Sequence, residues 1–165
     1  MKNVLSLCLI ALLFVSCSKK SDDEITPVAD KKVKIEIDLS GNYQNFQLLF
    51  ALTTLTTSNG AFVVPEFTIP ANTAWTQVIA QANAYNYVEI PTSSKMVIES
   101  KAVAGKVSFT LSAAQVDNGD DTTQIPLKAV VKVYGDGKLI QTYTHQAVPV
   151  GQVVSPLTVE LDLSK

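Results

Sequence analysis

The sequence predicts an all-β domain, a single antiparallel β-sandwich of two sheets, and three observations carry that prediction. Some nine short segments alternate apolar and polar residues with the period of two that marks half-buried strands. Turn-forming residues separate them, among them Asn59 with Gly60 and the group Gly135, Asp136 and Gly137. A single stretch, residues 72–86, fits a helical period. Short strands, frequent turns and almost no helix are the pattern of sheet stacked on sheet.

The first strand is the clearest. In residues 31–40, KKVKIEIDLS, the apolar Val33, Ile35, Ile37 and Leu39 alternate with Lys32, Lys34, Glu36 and Asp38, one face for the core and one for water. Residues 45–53 repeat the alternation through Phe46, Leu48, Phe50 and Leu52, and their other face is also largely apolar, which predicts a central strand. Asn59 and Gly60 tolerate positive φ and predict a tight hairpin turn, with residues 61–69 as the return strand. Pro65 cannot donate to a ladder, so that strand belongs at an edge or a bulge. In residues 72–86, Trp75, Val78, Ile79 and Ala82 fit the template of a short amphipathic helix, with Asn72 or Thr73 as its N-cap. Residues 85–90, 95–103 and 105–113 read as three more strands, the last with Val107, Phe109 and Leu111 inward. Residues 129–145 read as a hairpin; if Asp136 and Gly137 form a two-residue loop, Val133 faces Ile140 and Val131 faces Thr142 on the core side. The same alternation turns His145 toward water. Residues 157–165 bury Leu157, Val159, Leu161 and Leu163, and their VELDLS echoes the IEIDLS of the first strand, two strands meeting one alternation requirement.

Ahead of the domain stands a targeting segment. Lys2 supplies a positive charge and residues 4–15 form an apolar run of twelve, too short for the roughly 20 residues that span a bilayer. The quartet Phe14, Val15, Ser16 and Cys17 resembles the lipobox of bacterial lipoproteins, with Phe14 where leucine is usual, as lipoproteins of the Bacteroidota type tolerate. The resemblance implies cleavage before Cys17, acylation of Cys17 and membrane anchoring by several acyl chains; the alternative is an ordinary secretory signal. In lipoproteins of that type a short acidic cluster after the cysteine acts as a surface-export signal, and Ser21, Asp22, Asp23 and Glu24 are similar to one. The same stretch also reads as a solvated tether, since polar, charged segments bury too little surface to fold. The expected organisation is therefore a signal peptide over residues 1–16, an acylated cysteine and flexible tether over 17–30, and the sandwich over 31–165. Residues 18–30 reach at most about 45 Å, which keeps the domain near its membrane.

Cysteine usage fits this organisation. On that resemblance Cys8 would leave with the signal and Cys17 would be acylated, so no thiol would remain for a disulfide, a metal or a nucleophile. That excludes the disulfide-pinned form of the immunoglobulin fold and leaves an immunoglobulin-like sandwich without a disulfide as the expected topology. The remaining chain is long enough for one domain with a sizeable core.

The chemistry is constrained mainly by what is missing. All thirteen basic residues are lysines, so the planar guanidinium fork that clamps phosphate bidentately is absent and a nucleotide site is disfavoured. A net charge of −2 argues against nucleic acid. His145, the single histidine, would have to serve any catalytic triad or zinc site, and neither a nucleophile elbow nor a zinc-protease helix accompanies it. Catalytic residues are not expected; a small glycan hydrolase using Glu66, Glu89 or Glu99 is the remaining enzymatic alternative. No cofactor is expected. In residues 116–123, VDNGDDTT, Asn118 and Gly119 suit a polar hairpin loop, while Asp117, Asp120 and Asp121 are the candidate hard-oxygen ligands should the loop take calcium as a stabiliser.

Tyr43, Tyr85, Tyr87, Asn83 and Asn86, with Trp75, pair flat aromatic faces with amides, the groups that hold sugars; tyrosine and asparagine are equally at home at strand ends. The sequence therefore reads as a non-catalytic, lipid-anchored envelope protein that binds a glycan or a protein, in the outer membrane facing the cell exterior or its periplasmic face. The alternative is an assembly subunit whose edge strand, the first one around residues 32–39 or the last, pairs with a neighbour.

Overall fold

The computed structural model describes residues 29–71, 73–79, 84–116, 125–147 and 154–165. Ten strands are described, β1 (Lys31–Ser40), β2 (Phe46–Thr56), β3 (Pro65–Ile69), β4 (Thr76–Ile79), β5 (Ala84–Glu89), β6 (Lys95–Ala104), β7 (Lys106–Gln115), β8 (Leu127–Gly135), β9 (Lys138–Ala147) and β10 (Leu157–Asp162), with one 3-10 turn, Tyr43–Asn45. They form two five-stranded sheets, A in the order β3-β6-β1-β8-β9 and B in the order β10-β7-β2-β5-β4, and every pair is antiparallel. The two-sheet antiparallel sandwich predicted by the sequence is therefore the fold. Among the described residues no helix is long and apolar enough to cross a membrane.

Alternation built the sheets where it was clean. β1 buries Val33, Ile35, Ile37 and Leu39, and β7 buries Val107, Phe109 and Leu111. β2 buries Phe46, Leu48, Phe50 and Leu52 and is central in sheet B between β7 and β5, as expected. The buried rows of the two sheets meet in one core. On its outer face, sheet A carries a polar ladder: Lys132 bridges Asp38 at 2.8 Å, Lys34 bridges Glu36 at 2.9 Å and lies over the Tyr134 ring, and Tyr134 donates to Glu36. The Lys34 bond, the first cause, and the Tyr134 bond hold the Glu36 carboxyl below its ordinary range against a burial effect.

Four expectations are corrected. The helical stretch is instead β4 and β5, because Thr76, Val78 and Ile79 are β-branched and an open sheet edge offered them ladder partners, Thr76 opposite Asn86 and Ile79 opposite Ala84. The turn at Gly60, φ +84°, leads only to an isolated bridge between Thr56 and Phe62; the chain then crosses, and β3 pairs with β6 in the opposite sheet, at the edge Pro65 demanded. β1 is no free edge for assembly, since β6 and β8 flank it on both sides. In the β8–β9 hairpin Gly135 pairs with Lys138 and Tyr134 with Leu139, but a bulge then places Val133 opposite Gln141 and Val131 opposite Tyr143. The extra residue reverses the parity of the rest of β9, so His145 lies opposite Ala129 and is buried, 6% exposed, instead of facing water.

Only the β4–β5 and β8–β9 connections stay within one sheet; the others cross between the layers at one pole or the other. The pairings of Ser40 with Lys128, Phe46 with Gln115 and Leu48 with Glu89 put the ends of β1, β5 and β7 and the starts of β2 and β8 at one pole, the far pole. Lys31, the 57–64 connection, Gly105 and the Asp136 turn occupy the opposite one, named the tether pole because the described residues begin there, at the end of the stretch expected to be a tether. Asp30 is fixed there, both its carboxylate oxygens accepting from Ser58 N. The poles are about 30 Å apart, the length of the ten-residue β1.

Candidate functional site

At the far pole the chain leaves β1 through Gly41, whose φ of +76° favours glycine. A Cβ at Gly41 would lie 2.0 Å from the carbonyl oxygen of Pro126, so the turn packs directly on the strand entry that follows residues 117–124. Asn45 N donates to Asn42 O to close the 3-10 turn, and Val116 N donates to Asn45 O at 2.8 Å. Both flanks of the acidic 117–124 segment are therefore held by the same five-residue turn. Among the described residues Gly41, Asn42, Tyr43, Gln44 and Asn45 line a concavity of about 280 Å³ there, whose walls are one half-buried tyrosine and amide groups. A second concavity, about 460 Å³, lies toward the tether pole on β2, β7 and β10, lined by Thr54, Lys106, Val107, Ser108, Glu160, Leu161 and Asp162.

The structure disperses the aromatic and amide set drawn from the sequence. Trp75 stacks on Phe67 with ring centroids 4.9 Å apart, and Tyr87 lies against Phe67, Phe50 and Trp75. Phe67 belongs to sheet A and Tyr87 to sheet B, so these rings close the β3 side of the sandwich; Trp75 Nε1 is buried without a partner among the described residues. The Tyr87 hydroxyl donates to the Glu89 carboxylate, and burial, reinforced by that bond, pushes its pKa up to about 12. Tyr85 shares the inward side of β5 with Tyr87 and sits opposite Leu52, whereas Asn86 is on the reverse face opposite Ala51. Tyr43 stands apart at the far pole, beyond the end of β2 where Leu48 meets Glu89. Asn83 lies outside the described residues, as do Asn72, the lipid-attachment residue Cys17, the export residues Ser21, Asp22, Asp23 and Glu24, and the calcium candidates Asp117, Asp120 and Asp121.

Nor do the three glutamates considered for hydrolysis share a site. Glu66 and Glu99 are cross-strand neighbours on sheet A, with Lys101 3.8 Å from Glu66, while Glu89 is in sheet B. His145 Nε2 has no hydrogen-bond partner among the described residues, and burial lowers its pKa, which keeps the ring neutral. Among the described residues no three His, Cys, Asp or Glu side chains converge to hold a metal ion. What the far pole offers chemically is hard oxygen: amide carbonyls on the 41–45 turn beside a segment rich in aspartate. The sequence singles out Tyr43 and the acidic segment, but the clamp between them rests on contacts 71 and 85 residues apart, Asn45 to Val116 and Gly41 to Pro126, that no local pattern announces.

Three solved structures share the fold. The NMR structure of the calcium-bound form of a protein from Parabacteroides distasonis matches with a TM-score of 0.60 at 15% identity, over 86% of this chain and 99% of that one. A DUF4425 family protein from Bacteroides ovatus matches at 0.54 and 17% identity, over 79% and 95% of the two chains. The DUF4425 domain from Bacteroides vulgatus matches at 0.57 and 13% identity, over 81% and 97%. No curated protein matches the chain. Residues 1–153 match a family of lipoproteins described as PLAT/LH2 and C2-like and Ca2+-binding, which replaces the expected immunoglobulin-like topology with a PLAT/C2-like sandwich. The chain thus belongs to the PLAT/LH2 and C2-like Ca2+-binding lipoprotein family.

Proposed function

We propose that this protein is a non-catalytic binding lipoprotein, acylated at Cys17, held in the outer membrane with its domain outside the cell, and loaded with calcium at the far pole by Asp117, Asp120 and Asp121. The observation that carries this reading is the clamp: Val116 N on Asn45 O and Gly41 on Pro126 hold both flanks of the acidic segment to one turn. Calcium takes six to eight oxygens, and three carboxylates, backbone carbonyls and water supply that number in flexible loops. Family membership and the calcium-bound relative support the metal. The hard-oxygen donor set fits calcium, and calcium would supply charge neutralisation for the three aspartates and a fixed conformation for the loop. Tyr43, Asn42 and Gln44 belong to the turn that holds the flanks of that segment and are the groups assigned to the ligand, a glycan or a protein, which the pole meets about 30 Å from the tether side.

Ser21, Asp22, Asp23 and Glu24 are the export signal in this reading, and acylated Cys17 is the covalent membrane anchor. The test is a calcium titration of the mature protein followed by melting. A ligand that binds the folded state alone at about 100 times its Kd adds about 2.7 kcal/mol of stability, a rise of several degrees in Tm. Asp120→Asn combined with Asp121→Asn is expected to abolish that rise. An unchanged Tm in millimolar calcium sinks the calcium assignment.

A further inference from the structure

We infer that the tether pole is itself a membrane-docking surface, which rests the domain on the headgroup layer of the membrane that holds the Cys17 acyl chains. The pole exposes large apolar side chains at its rim: Phe62, 51% exposed, on the 57–64 connection, Val64 beside it, Val103 at the end of β6, and Leu139, 56% exposed, at the start of β9. Phe62 is the one aromatic among the large hydrophobic residues that stand this exposed among the described residues. These side chains follow the rim of sheet A. Val64 O accepts from Lys101 N, Val103 pairs with Lys32, and Lys32 exchanges backbone and side-chain hydrogen bonds with Asp136 at the turn that leads to Leu139.

The charge around them has the sign a phosphate layer attracts. Lys31, Lys32, Lys101, Lys106, Lys138 and Lys165 ring the pole. The carboxylates at that level are Asp30, Asp136 and Asp162, each already accepting hydrogen bonds from neighbouring groups, and Glu66, 3.8 Å from Lys101, so the six lysines outnumber four carboxylates. Exposed Ile90 and Ile125 lie at the far pole too, but the covalent anchor enters at the opposite one. The thirteen residues between Cys17 and Lys31 reach at most about 45 Å, so the tether delivers this pole to its own membrane at high effective concentration. Individually weak interfacial contacts then suffice: an apolar residue seated at the headgroup and acyl boundary, and lysines against lipid phosphate. The calcium pole, in consequence, faces away from the anchoring bilayer.

This inference rests on the acylation of Cys17 in the proposed function, and the experiment separates the two. The mature, acylated chain has no free thiol, so Phe62→Cys, Leu139→Cys and, at the exposed far-pole residue Thr92, Thr92→Cys each carry a single polarity-sensitive fluorophore. The proteins are reconstituted in phosphatidylethanolamine and phosphatidylglycerol vesicles containing lipid spin-labelled near the headgroup. Docking predicts quenching at positions 62 and 139 several-fold stronger than at 92. It also predicts loss of the Leu139→Cys signal when Phe62→Ser is added, and weakening in molar salt, which screens the lysine contribution. Equal, weak quenching at all three positions of an acylated chain overturns the docking surface and leaves the anchor standing. A mass spectrum without acyl groups on Cys17 overturns both.

Discussion

His145 is where a single side chain departs furthest from its sequence pattern, and its burial has a measurable consequence. Its ring is buried beside Ala129 with Nε2 unpartnered among the described residues, and desolvation lowers its pKa below the ordinary 6.5. The unfolded chain therefore takes up a proton at a higher pH than the native one. Stability contributed by the neutral ring is present above pH 6.5 and is lost as pH falls through that value toward the lower native pKa. Urea unfolding at pH 7.5 and pH 5.5 should show the difference, and His145→Leu should remove the part of it due to this residue. The same substitution should raise stability at neutral pH, since an unsatisfied buried polar atom costs about 1–3 kcal/mol. An undiminished pH slope in His145→Leu would assign the acid sensitivity to the carboxylates instead. The alternation that turns His145 toward water fails five residues before it: it holds up to Val133, and the bulge at Ile140 in β9 inverts it. Trp75 departs from its pattern differently, because a helical i, i+3, i+4 spacing and a strand leading inward make the same apolar residues look useful.

At the scale of elements, β1, β7, β8 and β10 were legible because each has one wet face, so that alternation fixes both the strand and its inward side. Which sheet a strand joins was not legible, since a crossing connection and a hairpin use the same turn residues. Asn59 and Gly60 make their turn, yet the strand after it belongs to the other layer. The edge strand β4 exposes all four of its residues and thus offered no burial pattern to read. The candidate site lies in such an illegible connection, and its decisive element is the 41–45 turn. Gly41→Ala is expected to break the clamp. Its Cβ would overlap the Pro126 carbonyl oxygen, and the left-handed φ adds about 1–2 kcal/mol of strain for any L side chain. Gly60→Ala has a similar φ and open space around it, so it carries the strain alone and serves as the reference. Gly41→Ala should lower Tm more than Gly60→Ala and weaken calcium binding about tenfold, which is 1.4 kcal/mol of lost loop organisation. Equal calcium affinity in the two variants would detach the loop's function from the turn.

For the whole molecule, the proposed tether is a device separable from the sandwich, and separability can be tested. The described contacts begin at Asp30, whose carboxylate is fixed on Ser58, and the proposed address residues Ser21, Asp22, Asp23 and Glu24 precede all of them. Replacing Asp22, Asp23 and Glu24 by alanine therefore leaves every described hydrogen bond in place, and the purified variant should melt at the parental temperature. What should change is the side of the membrane. If the acidic cluster is read by export machinery, protease added to intact cells should shave the parent protein and spare the variant, while both remain acylated and fractionate with membranes. The tether pole faces lipid on whichever leaflet carries the acyl chains, so the variant should stay membrane-bound with its calcium pole turned to the periplasm. Equal shaving of parent and variant would mean that the cluster is only a solvated spacer and that side selection resides elsewhere. Protection of both would place the native domain on the periplasmic face and point the search for its ligand to components of that compartment.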